Sequence, residues 1–381
     1  MSMTHVKNVV GVFVALAAVL VAAPGAVTAQ SVTLPTGWKT ASELYATLAK
    51  LPADQIDTIL YEGAKKEGAV IYASPAEEKQ IAKLMEGFMK KYPGISGKGM
   101  GGQQEDLSNR IIAESRAGRS TFDVISVGTE LGEYRKTKAL AELYDLVGNA
   151  RYPAKFRGPD FYSWNLLSMV IAYNTKMVQA SDVPQGYNDL LDPKWKGKIG
   201  VDNSPDTWIF GMLNKWGIEK TNKYQKQFIQ DQSPLIRKGH TNLTNLLIAG
   251  AFPVAIELYS YKVASMKNKG APIEMVLPKE FVSAEASGAG ISNRAKHPYA
   301  ALLFARYHVD PEGGQKVMAQ FGRAMAHPDT QLKYKEMQQL TDKNTLERMS
   351  LLTAKELVEF SEPYTKIIKE IYNPAFRGTK K

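Results

Sequence analysis

The chain contains no cysteine and few histidines, and both absences limit its chemistry. Without cysteine in its 381 residues it can form no disulfide bond and carry no lipid on an amino-terminal cysteine. Five histidines, one of them near the start of the chain, leave little material for a histidine-based catalytic site. The G-x-S-x-G, H-E-x-x-H and P-loop patterns are also absent from the sequence. These absences argue against a secreted enzyme, which remains the alternative from another functional class.

Long hydrophobic runs are also scarce, and the one that stands out lies at the amino terminus. Lys7 precedes an apolar run from Val9 to Ala23, which Pro24 and Gly25 end. Val27–Ala29 then fits a small-residue cleavage site, so residues 1–29 are predicted to be a secretory signal peptide. An uncleaved membrane anchor is the alternative, but the run is shorter than the roughly 20 residues that a spanning helix needs.

Positive charge is in excess, but the basic residues are spread along the whole chain. The formal net charge is +10, and lysines and arginines alternate with acids along the chain, with no basic run longer than pairs such as Lys65–Lys66. Excess positive charge favours anionic ligands or an acidic partner surface. Because the bases are dispersed and the chain is predicted to be secreted, no nucleic-acid partner is expected.

The length of the chain predicts two lobes. About 350 residues remain after cleavage of a signal peptide, which is more than one hydrophobic core serves comfortably. Residues 30–66 read as a helical lead-in, with helices over Ala41–Lys50 and Ala53–Lys66. The first lobe is predicted to begin at residue 67, with alternating strands and helices as follows: strand Ala69–Ala73, helix Glu77–Tyr92, strand Ile95–Met100, helix Leu107–Arg116 and strand Asp123–Val127.

A G-x-G-x-x-G match occurs at Gly97–Gly102, where a dinucleotide-binding turn is the alternative to a flexible strand and loop. In a dinucleotide-binding fold the first glycine follows a strand, whereas here Tyr92–Gly94 comes too soon before it. A strand followed by a loop is therefore the prediction.

The most informative stretch is Tyr187–Thr207, reading YNDLLDPKWKGKIGVDNSPDT. Pro193 ends a short helical turn, Trp195 offers a large apolar plug and Gly197 permits a tight turn. Ile199–Val201 reads as a buried strand, and the polar loop after it leads into a helix over Trp208–Trp216. Open α/β sheets bind small ligands at such junctions between strand, loop and helix.

The run DLLDPKWKGK at Asp189–Lys198, followed by a strand and Asn203–Ser204, resembles the extracellular solute-binding proteins of ABC importers. The most similar subgroup contains the ferric-iron-binding periplasmic proteins. A second segment, Arg110–Ile125, carries the pattern R-I-x-x-E-x-x-A-G-x-x-x-x-D-V-I and resembles the same family. Together the resemblance covers nearly all of the chain after the predicted signal peptide.

The resemblance implies an α/β fold of two lobes, the type 2 periplasmic binding protein fold, in which each lobe has a mixed sheet flanked by helices. The first lobe would comprise residues 67–171 and 283–381 with the C-terminal helices, and the second residues 172–282. Leu167–Asn174 would be one of two hinge crossings. Closure of the lobes on a ligand would present the closed form to a permease.

The expected protein is therefore a periplasmic, monomeric binding component without a lipid anchor, whose partners are an ABC permease and its ATPase. A sensory binding protein that docks on a receptor is the second alternative. No cofactor is expected, and Fe(III), free or chelated, or a small organic anion is the candidate transported ligand.

Candidate ligand contacts are polar and aromatic residues at strand ends facing the cleft between the lobes. Free N–H groups of the helices that follow suit anionic ligand groups. Simple helix capping, core packing and a surface loop position are the alternatives for the serines and Thr207, for Trp208 and for His240. The candidates are Ser74, Glu77, Gln103, Thr129 and Glu130 on the first lobe, Asn203, Ser204, Thr207, Trp208, His240, Tyr259 and Tyr261 on the second, and Glu285 near the return crossing.

The ferric-iron subgroup binds metal through two neighbouring tyrosines, usually with a histidine and a carboxylate from the first lobe and a synergistic anion. Here Ser260 separates Tyr259 from Tyr261, and Ala76 stands where the histidine would fall, with Glu77 beside it. The resemblance thus implies a degraded metal site, in which Tyr259 and Tyr261 with Glu77 and Glu130 could still hold Fe(III) through hard oxygen donors.

Overall fold

The computed structural model describes residues 33–128, 130–148, 151–203, 205–352 and 354–378. The predicted signal peptide lies outside these residues, and a compact unit begins at Leu34. The strands are β1 (Ala69–Ser74), β2 (Ser96–Gly101), β3 (Val124–Val127), β4 (Tyr162–Asn174), β5 (Ile199–Asp202), β6 (Leu235–Arg237), β7 (Val254–Tyr259), β8 (Ile273–Val276), β9 (Val282–Ile291), β10 (Ala324–Met325) and β11 (Met349–Leu351).

Helices flank these strands and make up most of the remaining described chain. The α-helices are α1 (Ala41–Leu48), α2 (Ala53–Glu67), α3 (Glu78–Lys91), α4 (Gln104–Arg116), α5 (Leu131–Lys136), α6 (Asp206–Gln232), α7 (His240–Ile248), α8 (Ser260–Asn268), α9 (Pro298–Val309), α10 (Gly314–Ala319), α11 (Lys343–Arg348), α12 (Ala354–Ile367) and α13 (Asn373–Gly378). Short 3₁₀ turns cover Ala154–Phe156, Ala180–Asp182, Asn188–Leu191, Pro193–Trp195 and Lys335–Leu340, and a π-helical turn, Ile368–Tyr372, joins α12 to α13. In the part of the chain that the structure describes, no helix combines the length and the apolar character that crossing a membrane requires.

The strand β4 belongs to two sheets, and this shared strand connects the two halves of the structure. In the first sheet β1 runs parallel to β2 and β3, and β9 runs antiparallel to β3 and to the first part of β4. In the second sheet β7 and β8 pair antiparallel with the remainder of β4, and β5 joins β7 to β6 in parallel. The change of partner falls between Ser168 and Met169.

The sequence predicted the crossing strand over Leu167–Asn174, and the structure extends it back to Tyr162. Nearly every side chain of β4 is buried, because both of its faces are covered by packed side chains, and a continuous apolar run is what such a strand requires. The residue boundaries predicted for the two lobes stay a prediction. The C-terminal segment adds Ile367, Ile371 and Tyr372 to the core around the second sheet.

The motif around Trp195 folds as its residues indicate. The Asp192 carboxylate accepts a hydrogen bond from the Lys194 backbone N–H at 2.9 Å, and Pro193 begins the turn. Trp195 is 5% exposed within the core around the second sheet, and Gly197 adopts a φ of 70° that glycine tolerates without strain. The motif therefore anchors the start of β5.

The glycine-rich segment Gly97–Gly102 lies on and just beyond β2, so the strand prediction is confirmed and the dinucleotide-binding alternative is not. The glycines have a packing reason, since a Cβ atom on Gly99 would collide with the side chain of Ile81 on α3. Close approach of a helix to a strand requires this small residue.

Two predicted helices differ from the structure. The helix expected over Trp208–Trp216 continues to Gln232 as α6, through a break at Gly217, because Tyr224 and Phe228 bury against the second sheet's core. The sequence also predicts a helix around Gln331–Leu340, and in the structure this stretch contains a shorter 3₁₀ turn, Lys335–Leu340.

Candidate ligand-binding cleft

A cavity of about 270 Å³ lies beside the point where β4 passes from one sheet to the other. Its walls come from the ends of β1 and β3, from the middle of β4 and β9, and from the loop before β10. The lining residues are Ser74, Pro75, Ala76, Gln104, Ser126, Val127, Gly128, Glu130, Trp164, Leu167, Glu285, Ser287 and Arg323. Ligands in α/β folds bind at such strand ends, so this cavity is the candidate site.

Arg323 provides the positive charge of the cavity. Its guanidinium carbon lies 6.0 Å from the ring centre of Trp164 and 5.6 Å from that of Tyr261. Trp164 belongs to β4 and Tyr261 to α8, so one arginine contacts aromatic rings from both sides of the sheet crossing. Guanidinium groups are attracted to aromatic faces, and this contact fixes the arginine without neutralising its charge.

Two carboxyl groups face the same cavity. The Gln104 side-chain amide donates a hydrogen bond to Glu130 at 3.0 Å, which holds that carboxylate at the start of α5. Glu285 lies opposite Leu167 in the ladder of β9 with β4. Desolvation by the surrounding cavity wall raises the pKa of Glu285, and the charges of Asp206 and Glu130 add to the shift. The cavity therefore contains the cationic side chain of Arg323 and two carboxyl groups, Glu130 and Glu285, which lie in different surroundings.

The second sheet contributes an aromatic group beside the cavity. Tyr259 ends β7 and Tyr261 lies in the first turn of α8, and their rings stack with centres 5.5 Å apart. The ring of His240 packs on Tyr259 with a centre distance of 4.8 Å. Burial raises the pKa of the Tyr259 phenol, and the charge of Glu285 raises it further, so the hydroxyl stays protonated in the folded protein.

The N-termini of the two helices that follow β5 and β6 bind carboxylates of the protein itself. Glu257 accepts a hydrogen bond from the Trp208 backbone N–H at 3.1 Å, at the start of α6. Asp202 accepts one from the Gly239 N–H at 2.7 Å, just before α7. The expectation that these helix ends offer free N–H groups to a ligand anion was therefore wrong for the first turn of α6 and for Gly239.

The structure places the predicted site residues in several different settings. Ser74, Glu130 and Glu285 line the cavity, and Tyr261 reaches it through Arg323. Glu77 and Gln103 are exposed at the starts of α3 and α4 and do not line it. Thr129 and Ser204 lie outside the described residues.

The remaining candidates on the second lobe do not line the cavity. Trp208 is 1% exposed and packs edge-on against Tyr224 and Phe228, which is the core packing that was the alternative to a ligand contact. Asn203 donates its backbone N–H to Arg237, and Thr207 donates its own to Asp206. His240 begins a helix instead of lying in the predicted loop, with Nδ1 3.9 Å from Asp202.

Sequence reasoning missed Arg323 and Trp164. Trp164 lies at the start of β4, before the predicted strand, and Arg323 lies far away in sequence in a short loop after α10. Gln104 was within a predicted cleft loop but was not singled out. The described residues contain no group of three or more histidine or carboxylate side chains that could hold a metal ion.

Residues 83–344 match the family described as bacterial extracellular solute-binding protein. The chain belongs to this family. The match covers more than half of the chain, and it confirms the resemblance that the motifs around Trp195 and Arg110 carried. Among curated proteins, an uncharacterized protein of Haemophilus influenzae is 28% identical over 203 residues, which are 51% of this chain and 57% of that protein. The alignment thus spans little more than half of that relative.

Solved structures share the fold of this solute-binding protein. A putative extracellular solute-binding protein from Bordetella parapertussis matches with a TM-score of 0.66 and 15% identity, over 80% of this chain and 99% of that one. Iron-bound HitA from Pseudomonas aeruginosa matches with a TM-score of 0.60 and 21% identity, over 80% and 99%. The Trichodesmium protein IdiA (FutA), in complex with iron and citrate, matches with 0.61 and 20%, over 81% and 99%. The predicted two-lobe periplasmic binding protein fold is confirmed by these similarities.

Proposed function

We propose that this protein is the periplasmic substrate-binding component of an ABC importer. It captures a small ligand between its lobes and delivers it to a membrane permease that works with an ATPase. The ligand is a small organic anion or ferric iron, and the protein acts as a monomer that a cleavable signal peptide exports. Membership in the solute-binding family supports the binding role, and the lack of cysteine fits a protein without a lipid anchor.

The observation that carries this proposal is the position of Arg323. Its guanidinium carbon lies 6.0 Å from the ring centre of Trp164, on the strand shared by both sheets, and 5.6 Å from that of Tyr261, on the second side. A ligand that binds this arginine also meets groups from both lobes, and its affinity is highest when both are in contact. Such a ligand shifts the population towards the closed form, which is the state that a permease would recognise.

Iron as cargo is supported by chemistry and by similarity, with one constraint. Phenol and carboxylate oxygens are hard donors suited to Fe(III), and two related folds are iron-bound. However, Tyr259 must lose a proton before it can coordinate iron, and the cation of Arg323 repels a bare metal ion. A chelate with carboxylate groups would satisfy Arg323 and bring iron to the tyrosines, so chelated iron fits better than the free ion.

The proposal is tested by thermal unfolding of the mature protein with Fe(III), with ferric citrate and with a panel of organic acids. Ferric citrate should raise the midpoint by mass action and give the colour of a tyrosinate-to-iron charge-transfer band. The Tyr259→Phe/Tyr261→Phe double variant should lose the colour, whereas Tyr144→Phe, at an exposed tyrosine, should keep it.

The outcomes separate the two cargoes. A colourless protein whose midpoint rises with organic acids alone is an importer component for an organic anion. If no compound of the panel raises the midpoint, the proposed ligand classes are wrong.

A further inference from the structure

Several arginines of this protein pair with an aspartate, but Arg323 pairs with no carboxylate of the described residues. Arg135, Arg157 and Arg306 each reach an aspartate, at 2.7, 2.6 and 2.9 Å. Arg323 contacts two rings in the cavity, and none of the described residues places a carboxylate within ion-pair distance of it. A partly buried charge without a counterion is costly, so a group from outside the chain would stabilise it.

Further hydrogen-bond donors line the cavity. Trp164 lines the cavity at 4% exposure, and its indole N–H finds no acceptor in the described part of the chain. Ser126 and Ser287 bring hydroxyl groups to the wall, and α3 begins beside it without a side-chain cap. An oxyanion accepts several hydrogen bonds at once and would satisfy these donors together with the guanidinium.

Hydrogen-bond acceptors line the cavity as well. Glu130 and Glu285 both face the cavity, and the side-chain carbonyl oxygen of Gln104 is buried with no donor among the described residues. A ligand that carried only anionic groups would place negative charge beside these oxygens. A hydroxyl or amino group would instead donate to them, so the cavity is built for a ligand with two different ends.

We infer that the cavity is a subsite for a small hydroxy or amino acid, whose carboxylate or phosphate binds Arg323 and the Trp164 indole N–H while its hydroxyl or amino group donates to Glu130 and Glu285. The inference rests on the proposed function and specifies its ligand. Cargo iron would enter this site as the chelate of such an acid.

The inference is tested with matched small probes at constant ionic strength, by calorimetric titration and thermal unfolding of the mature protein. L-Malate and succinate differ by one hydroxyl, L-aspartate replaces that hydroxyl by an amine, and 1,2,4-butanetriol keeps hydroxyls without the acids. Glycerol 3-phosphate presents a phosphate instead of a carboxylate. At least one of malate, aspartate and glycerol 3-phosphate should bind, at least tenfold more tightly than succinate, and butanetriol should not bind.

Variants then locate the contact. Arg323→Gln should weaken binding of that probe at least tenfold, and Arg323→Lys should recover part of the loss because it keeps the charge but not the two-pronged donor geometry. Arg294→Gln is the matched control, since Arg294 is exposed and does not line the cavity. Circular dichroism of each variant shows whether the fold is kept.

The outcomes distinguish this inference from the function beneath it. Equal affinity of wild type and Arg323→Gln for a bound probe, or binding of butanetriol as tight as that of malate, would overturn the subsite while leaving an importer component. Binding of ferric citrate without binding of any acid probe would do the same. A wild-type protein that binds neither the probes nor ferric citrate contradicts both the subsite and the proposed ligand classes.

Discussion

Glu257 shows how one buried side chain shapes the second lobe. It is 2% exposed, its backbone adopts a left-handed φ of 58°, and its Oε1 accepts the first-turn N–H of Trp208. A non-glycine residue with this backbone is strained, and the strain persists because the hydrogen bond and the surrounding core hold it. Burial raises the pKa of Glu257 well above its ordinary value of 4.5, and the charges of Asp206 and Asp202 add to the shift.

Glu257→Gln should flatten the pH dependence of stability. Because the pKa of Glu257 is raised in the folded state, the folded protein binds this proton more tightly than the unfolded chain does. The resulting contribution to the free energy of unfolding is fully present below pH 4.5, the ordinary pKa of the group. It is lost as the pH rises through the folded pKa, since the ionised carboxylate is buried. Glutamine keeps the acceptor without ionising, so the variant should gain stability relative to wild type between pH 4.5 and pH 8.

Urea unfolding across that range measures the effect, with the exposed Glu105→Gln as the control. Parallel stability curves for wild type and Glu257→Gln would show that Glu257 does not titrate as its burial indicates.

The residue scale is where the sequence predicted the site least well. Ser74, Glu130 and Glu285 were found because they follow or lie on strands, and strand ends meet at one edge of a sheet. Arg323 could not be found in this way, because it enters the cavity only through the pairing of β10 with Leu166 and Asn165 of β4. Glu257 had the right strand position, but only the packing of α6 shows that its carboxyl group is already used.

The long helix α6 is really two helices joined at Gly217. At this glycine φ is 77° and ψ is 172°, a region that only glycine occupies at low cost. The Thr221 hydroxyl donates a hydrogen bond to the Gly217 carbonyl oxygen at 2.7 Å, so the second part begins with a local bond. The bend lets the first part reach Ser283 and Ser350 at the sheet crossing while the second covers β5 and its neighbours.

Gly217→Ala should destabilise the protein by about 1–3 kcal/mol, because alanine is strained at this φ and ψ. No atom outside its chain neighbours lies within 4 Å of the position of an added Cβ, so backbone strain is the only cost among the described residues. Gly132→Ala is the matched control, since it also has open space and lies in α5 without a positive φ, and there alanine should be neutral or stabilising. Chemical denaturation compares the two, and an equal effect of both substitutions would contradict the assigned strain.

The sequence predicted well those strands and helices whose apolar residues are regularly spaced, and the wrong helix boundaries have local causes. The predicted ends of strand β1 and helix α3 lie within one residue of the observed ends. The spacing of the apolar residues in each segment matches only one type of secondary structure. The predicted helix ends at Trp216, and Gly217, a residue unfavourable inside a helix, follows it. Only the tertiary burial of Tyr224 and Phe228 shows that a helix resumes after it.

At the scale of the whole molecule, the two sheets are linked by few covalent crossings. One is β4, which changes partners between Ser168 and Met169, and another is the segment between β8 and β9. The sequence predicted this two-lobe plan because chain length, alternating elements and the Trp195 motif all agree with it. It could not predict that the C-terminal residues Ile367 and Tyr372 pack against the core of the second sheet. An apolar pattern with helical spacing does not show which element the helix packs against.

These crossings predict that a ligand changes the shape of the protein without changing its secondary structure. Extended segments bend with little loss of hydrogen bonds, and the cavity lies beside β4, which is one of these crossings. Small-angle X-ray scattering of the mature protein should therefore show a smaller radius of gyration at saturating ligand, with an unchanged far-ultraviolet circular dichroism spectrum.

At a ligand concentration of 100 times Kd, linkage should also add about 2.7 kcal/mol to the free energy of unfolding. Because Arg323→Gln should bind at least tenfold more weakly, it should gain no more than about 1.4 kcal/mol at the same concentration. Arg294→Gln should show both effects in full. Stabilisation of the wild type without contraction would mean that the ligand binds to one lobe alone, and closure would then not be the step that the permease detects.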